Sequence, residues 1–137
     1  MKLYVVGFLH YKDEVVLLRK SRPPMLAGKL NGIGGKIEPG EHAVDAMVRE
    51  FAEETGLQTS QGVWRYYAEV SGDGYVIAYF TADLSGEDSR PEVRSTTDEA
   101  VGWYSVPRLP VDVVPDTRWL IPLSLDLTVM TADVRRV

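Results

Sequence analysis

The chain contains no cysteine among its 137 residues. A disulfide framework, a thiol nucleophile and a zinc–thiolate site are therefore excluded. Positive charge is also in short supply, because 15 lysines and arginines face 20 aspartates and glutamates and leave a net charge of −5. This balance argues against binding a nucleic-acid polymer through a basic surface. It is compatible with a small anionic substrate, because a bound metal ion can invert the local field.

The sequence also lacks long apolar runs. No stretch approaches the ~20 residues of a membrane-spanning helix, and no signal peptide is recognisable. We therefore expect a cytoplasmic protein that does not contact a membrane. Hydrophobic residues make up 45% of the chain and charged residues 26%, values typical of a soluble globular protein. The length suits one domain that spans residues 1–137.

Three glutamates crowd one turn of a predicted helix. Glu50, Glu53 and Glu54 stand at positions i, i+3 and i+4, where like charges repel by roughly 0.2–0.5 kcal/mol per pair. The only base nearby is Arg49. A divalent cation would turn this repulsion into coordination, and all-oxygen ligands suit Mg²⁺ or Mn²⁺. Taken alone, the three acids also fit an ordinary solvated helix face. The apolar stripe that predicts the helix is Val44, Met47, Val48 and Phe51.

Both ends of this helix are marked in the sequence. Pro39-Gly40 predicts a turn before it, and Gly56 fits a left-handed C-terminal cap. Glu41 places a negative charge near the helix start. Arg49 follows about two turns later on nearly the same face, so we expect Glu41 to hold its guanidinium group.

The complete pattern from Gly35 to Leu57 is Gly, five residues, Glu, seven residues, Arg-Glu, apolar, any, Glu-Glu, any, Gly, apolar. It resembles the Nudix box of the Nudix hydrolase family, and Phe51 stands where an aliphatic residue is more common. The preceding run Leu30–Lys36, L-N-G-I-G-G-K, is similar to the subgroup that hydrolyses oxidised purine nucleoside triphosphates. The resemblance implies an α/β fold, a Nudix-type α/β/α sandwich with a mixed β-sheet between helices.

The resemblance also implies a set of site residues. The candidate catalytic residues are Glu41, Arg49, Glu50, Glu53, Glu54 and Glu99. The candidate metal ligands are Gly34, Glu50, Glu53, Glu54 and Glu99. The candidate substrate-binding residues are Asn31, Gly35, Lys36, Tyr79, Asp116 and Trp119. Glu99 is included because a glutamate before a short strand often supplies a ligand or a general base in the family, with Asp98 and a solvated acidic loop as the alternatives. Packing in the sheet is the alternative for Tyr79.

One segment differs from the subgroup at the residues that would contact the base of the nucleotide. The animal oxidised-purine triphosphatase carries a W-P-D-D run, whereas this chain has Val114-Pro115-Asp116-Thr117. Asp116 matches the first acid, but the stacking ring and the second acid are absent. Trp119 lies one turn further and is a candidate replacement for the ring. The departure puts an oxidised purine in doubt as the substrate and leaves the phosphate chemistry unaffected.

The expected reaction is Mg²⁺-dependent hydrolysis of the diphosphate linkage of a nucleoside triphosphate or a nucleoside diphosphate derivative, with an oxidised purine deoxynucleoside triphosphate as one candidate. A glutamate, Glu50 or Glu99, is expected to accept the proton of the attacking water. The alternatives are ADP-ribose, another nucleoside diphosphate derivative, a pterin triphosphate, or a non-catalytic nucleotide-binding module. The oligomeric state stays open, with a homodimer among the alternatives.

Elsewhere, β-forming runs predict two hairpins and a further short strand. A second helix is predicted to begin near Asp116, with an apolar stripe that runs from Trp119 to Met130. We expect it to pack on the sheet face opposite the acidic helix, and we expect the tail from residue 135 to 137 to fray. The predicted strands cover residues 2–10, 14–19, 62–70, 74–82 and 100–104.

Overall fold

A computed structural model describes all residues from 1 to 137. The chain forms eight strands, two α-helices and one short 3₁₀ helix. The strands are β1 Lys2–Tyr11, β2 Glu14–Arg19, β3 Leu30–Asn31, β4 Ile33–Lys36, β5 Arg65–Gly72, β6 Tyr75–Asp83, β7 Val101–Ser105 and β8 Ala132–Arg135. The helices are α1 Ala43–Thr55, α2 Thr117–Ser124 and the 3₁₀ turn Gln61–Val63.

All eight strands join one mixed sheet around β1. β1 runs parallel to β6 along most of its length. Its other edge is shared by two antiparallel partners, because β4 pairs with residues 4–7 and β2 pairs with residues 10–11. β5 then adds antiparallel to β6. The sheet and its helices confirm the expected mixed α/β fold class.

The two faces of the sheet carry separate hydrophobic cores, because successive side chains of a strand point to opposite faces. On one face, Met47 and Phe51 of α1 pack against Val5 and Leu9 of β1. On the other face, Leu120 and Ile121 of α2 pack with Phe8 and Tyr67. The prediction that the second helix covers the face opposite the acidic helix is confirmed.

The predicted length of the second helix is wrong. α2 ends at Ser124, and the side chains of Leu127 and Met130 are exposed. The chain turns instead at Asp126, whose carboxylate accepts hydrogen bonds from the backbone N–H and the hydroxyl of Thr128. Such a local side-chain bond competes with continuation of a helix.

The expected fraying of the tail is also wrong. β8 pairs in parallel with residues 68–71 of β5, and the N–H of Arg136 donates to the carbonyl of Ser71 at 2.7 Å. The pairing satisfies the backbone groups of an edge strand. Neither helix has the length and apolar character needed to cross a membrane.

Candidate active site

The acidic helix α1 begins and ends as its sequence predicts. Gly56 has a φ of 74°, in the left-handed region, and its N–H donates to the carbonyl of Ala52. At the other end, the N–H of Glu38 donates to Glu41 at 2.9 Å, which fixes the turn that precedes the helix. The helix lies close to the sheet, because a Cβ added at Gly7 would meet Met47 at 2.6 Å.

Arg49 joins the helix to the strand beside it. Its Nε and Nη2 donate to both carboxylate oxygens of Glu41 at 2.8 and 2.9 Å, as the spacing predicted. Nη2 also donates to the carbonyl of Lys36 at 3.0 Å, and Nη1 donates to Glu50 at 2.9 Å. The hydrogen bond from Arg49 lowers the pKa of Glu41 to about 2. Arg49 thereby fixes the position of Glu50 relative to β4.

Three carboxylates meet between α1 and the segment before β7. Burial raises the pKa of Glu54 to about 8, and the hydrogen bond and negative charge of Glu50 add to the rise. Glu99 contributes in the same direction, whereas Lys20 opposes it. The side chains of Glu50 and Glu99 are only 14% and 8% exposed. Carboxylates this close favour a shared proton or a bound cation.

Glu99 is held in this group by residues that the sequence did not single out. Its Oε2 accepts a hydrogen bond from the backbone N–H of Ser21 at 2.5 Å and from the Ser21 hydroxyl at 3.1 Å. The Nζ of Lys20 lies 4.0 Å from the same oxygen. Asp98, the alternative to Glu99, is exposed and pairs with Arg22 instead. No local pattern marks Lys20 and Ser21, because the contact joins segments about eighty residues apart.

Glu53 does not join the carboxylate group. Its side chain is 58% exposed, and its ion pair is with Nη1 of Arg49 at 3.4 Å. This position differs from the expectation that Glu53 shares the metal with Glu50 and Glu54. Consecutive residues of a helix are rotated by about 100°, so the side chains of Glu53 and Glu54 leave α1 in different directions.

The donor set fits a hard divalent cation. No three acidic or histidine side chains already enclose an ion-sized site, but Glu50 and Glu54 offer carboxylate oxygens of the kind that Mg²⁺ prefers. The backbone of Gly35 approaches this pair closely, since a Cβ there would lie 2.4 Å from Glu50 Oε1. A bound cation would offset the negative charge that Glu50 and Glu99 place beside Glu54.

A cavity of about 330 Å³ adjoins the glycine-rich strand. It brings together Asn31, Gly34 and Gly35 of the predicted site residues, and it also includes Lys20. The side chain of Asn31 accepts a hydrogen bond from the N–H of Gly32 at 2.8 Å, which orients its amide. The remaining lining residues are Tyr4, Val5, Val6, Pro23, Leu26, Gly32 and Ile77. A larger cavity of about 440 Å³ lies at the C-terminal end of α1 and contains none of the predicted site residues.

Four predicted substrate-binding residues lie outside this cavity lining. Lys36 borders a separate surface hollow beside Glu41. Tyr79 is buried against Phe8 with ring centroids 6.3 Å apart, which matches the packing alternative. Asp116 forms an ion pair with Arg136. Trp119 is a partly exposed residue of α2.

Three comparisons place this geometry among known proteins. The family model described as NUDIX domain matches residues 1–123. A protein of Mycobacterium tuberculosis named "Putative 8-oxo-dGTP diphosphatase 2" is 32% identical over 98% of this chain and 96% of its own length. The "Oxidized purine nucleoside triphosphate hydrolase" of Mus musculus is 30% identical over 90% of this chain and 80% of its own length.

Solved structures agree on the fold. A MutT NUDIX hydrolase from Burkholderia pseudomallei superimposes with a TM-score of 0.74 at 22% identity, over 89% of this chain and 96% of that one. The mixed sheet, the acidic helix and these relatives define a hydrolase that acts on pyrophosphate bonds. The chain belongs to the NUDIX family. Enzymes of this family generally use divalent metal ions.

Proposed function

We propose that residues 1–137 form a single domain that hydrolyses the diphosphate linkage of a nucleoside triphosphate with Mg²⁺ as cofactor. The observation that carries this proposal is the group of Glu50, Glu54 and Glu99 beside the cavity of Asn31. Acids that repel one another favour a bound cation, and a cation next to this cavity can neutralise the charge of a phosphate group during its hydrolysis.

The cavity and the acidic group would take different parts of the substrate. The cavity walls are mainly apolar around the amide of Asn31, which suits a base and its edge. The phosphates would extend over Gly34–Lys36 toward Glu50, because the glycines leave the backbone open there. Lys20 spans both regions, since it lines the cavity and its Nζ lies 4.0 Å from Glu99. We assign Lys20 and Lys36 to phosphate binding.

Each residue of the acidic group has a proposed task. Glu50 and Glu54 hold the divalent cation, and the carbonyl of Gly34 is a further candidate ligand. The cation would neutralise phosphate charge and activate a water molecule. Arg49 and Glu41 act as positioning residues, because the guanidinium fixes Glu50 against the strand.

We propose Glu99 as the residue that accepts the proton of the attacking water. Glu50, the alternative, already accepts a hydrogen bond from Arg49 and interacts with Glu54. In Glu99, Ser21 donates to Oε2, whereas Oε1 accepts no hydrogen bond and has only Nη1 of Arg22 nearby, at 3.8 Å. A carboxylate oxygen that accepts no hydrogen bond from the protein can take a proton from water, as a general base must.

Purine nucleoside triphosphates, including oxidised forms, are the proposed substrate class. Two relatives at 30% identity or above carry names that refer to 8-oxo-dGTP and oxidised purine nucleoside triphosphates. Asn31 lines the cavity at the place expected for contact with the base. The segment around Val114 and Thr117 lacks the ring and the second acid of the animal enzyme, so the proposed class includes ordinary as well as oxidised purine bases.

A hydrolysis screen tests the proposal. Purified protein is incubated with ordinary and oxidised nucleoside triphosphates, ADP-ribose, dinucleoside polyphosphates and dihydroneopterin triphosphate, with Mg²⁺ or with a chelator. We expect Mg²⁺-dependent cleavage of a purine nucleoside triphosphate, and we expect Glu99→Gln to lower kcat with little change in KM. Preference for ADP-ribose would overturn the proposed substrate class. Absence of Mg²⁺-dependent turnover on every compound would overturn the proposed reaction.

A further inference from the structure

The carboxylate of Asp116 is not free at the start of α2. It forms an ion pair with the guanidinium group of Arg136, which follows β8 near the end of the chain. The hydrogen bond that Arg136 donates to Asp116, together with the weaker influence of the phenols of Tyr75 and Tyr79, raises the pKa of Arg136. The side chain of Arg136 remains 47% exposed, so part of its N–H donor set is accessible.

The segment before Asp116 runs beside the strand that carries Asn31. The N–H of Val114 donates to the carbonyl of Leu30 at 2.8 Å, which brings the segment before Asp116 next to the strand of Asn31. On the other side, Ile77 lines the cavity. Tyr75 and Tyr79 flank Ile77 on the same face of β6, because residues two apart share a face of a strand. Tyr75 and Tyr79, whose phenols influence the pKa of Arg136, are therefore neighbours of the cavity wall.

The backbone and the side chain of Arg136 have separate roles. The backbone N–H donates to the carbonyl of Ser71 at 2.7 Å and extends the pairing of β8 with β5. The tail is thus held against the sheet whatever side chain residue 136 carries. The guanidinium group is not needed for this pairing, and its partner is the carboxylate of Asp116.

We propose that Arg136 is a specificity-determining residue that holds Asp116 and presents N–H donors at the base end of the cavity. The proposal rests on the proposed function, since it concerns the base of the nucleotide cleaved at the same site. A free carboxylate accepts hydrogen bonds and would select an amino group. A guanidinium only donates, so it selects a base edge with carbonyl or ring-nitrogen acceptors. The substrate class is therefore a purine nucleotide with a 6-oxo group rather than a 6-amino group.

Two nucleotides that differ mainly at this position test the proposal. We would measure kcat/KM for deoxyinosine triphosphate, which has a 6-oxo acceptor, and for deoxyadenosine triphosphate, which has a 6-amino donor. Where turnover is too slow, the inhibition constant against the best substrate replaces it. The variants are Arg136→Met, which removes the donors and keeps the length, and Arg135→Met as the matched control. Arg135 is an exposed neighbour in β8.

The wild type is expected to favour the 6-oxo nucleotide by about tenfold or more, the discrimination typical of one well-placed polar contact to a base. In Arg136→Met the released carboxylate of Asp116 should reduce this ratio at least tenfold, whereas Arg135→Met should keep it. An unchanged ratio in Arg136→Met, with unchanged thermal stability, would overturn the proposal. A wild type without Mg²⁺-dependent hydrolysis would overturn the proposed function instead, and the ratio of the dissociation constants of the two nucleotides, measured by calorimetric titration of wild type and variants, would still decide the role of Arg136.

Discussion

The two faces of the sheet contribute to the candidate site in different ways. On the α1 face, Glu50 and Glu54 come from one helical turn. Arg49 bonds to Glu50 and is itself held by Glu41, eight residues earlier. The α2 face instead supplies cavity walls and flanking groups from several distant segments. The proposed phosphate-cleaving residues are thus determined by local spacing, whereas the proposed base-binding residues are brought together by the fold. The proposed base-binding residues can therefore change while the phosphate-cleaving residues are retained.

The largest effect is expected from Glu54 on the α1 face. Glu54→Gln removes a carboxylate that the structure places against Glu50, so kcat should fall about 10²–10³-fold, the loss typical of one electrostatic contact to a transition state. Glu53→Gln is the matched control, because its side chain is exposed and lies outside the group. Steady-state kinetics of both variants checks the difference. Equal losses would show that Glu53 belongs to the site.

The second-largest loss of kcat is expected at Gly35, whose backbone lies close to the carboxylate of Glu50. In Gly35→Ala, the new Cβ would lie 2.4 Å from Glu50 Oε1 and would displace this carboxylate. We expect kcat to fall about 10–100-fold, as for other losses of ligand positioning, with the fold retained. Gly62→Ala is the control, because nothing lies within 4 Å of its Cβ position. If Gly35→Ala kept the wild-type kcat, the reaction would not require the carboxylate of Glu50 in its present position.

His10 provides a test of the α2 face that does not depend on activity. Its side chain is buried, it bonds to Ser124 of α2 at 2.9 Å, and burial lowers its pKa to about 4. An unfolded histidine titrates near 6.5. Between these values only the unfolded state binds the proton, so stability falls as the pH is lowered from about 6.5 to 4.

The expected loss from this one residue is about 1.4 kcal/mol per pH unit. Denaturant unfolding at several pH values would measure it, with His10→Gln against the exposed control His42→Gln. His10→Gln should lose this part of the pH dependence, whereas His42→Gln should keep it. Parallel pH curves for the two variants would mean that the pKa of His10 does not change on folding.

The smallest effect is expected beyond the end of α2. Leu127 is 85% exposed, so Leu127→Ser should change the free energy of unfolding by less than about 0.5 kcal/mol. Leu120→Ala is the contrasting variant, because Leu120 is fully buried and its truncation should cost about 2–5 kcal/mol. A large cost at Leu127 would indicate that α2 extends further than Ser124.

The sequence predicted most of the α1 face because its determinants are local. The limits of α1, the cap at Gly56 and the contact of Arg49 with Glu41 all depend on residues within a few turns of one another. The strands of the two hairpins were likewise predicted to within a few residues, because β-forming runs and turns are local signals. The fold class followed from the order of these elements.

Other features could not be predicted because their causes are distant in the chain. Ser21 and Lys20 reach Glu99 across about eighty residues, and no spacing rule joins them. The strand β8 was missed because its pairing with β5 stabilises a segment that has no strong pattern of its own. Arg136 meets Asp116 only because of that pairing. The position of Glu53 depends on how α1 is rotated against the sheet, which the spacing of acids alone does not determine.

Binding of Mn²⁺, followed by the loss of its free paramagnetic resonance signal, tests the cation site most directly. The titration would include a non-hydrolysable nucleoside triphosphate and compare the wild type with Glu54→Gln and Glu53→Gln. We predict that Glu54→Gln weakens Mn²⁺ binding at least about tenfold, as expected when a positioned ligand is lost, and that Glu53→Gln stays close to the wild type. Wild-type affinity in Glu54→Gln would contradict the proposed binding of the cation by Glu50 and Glu54.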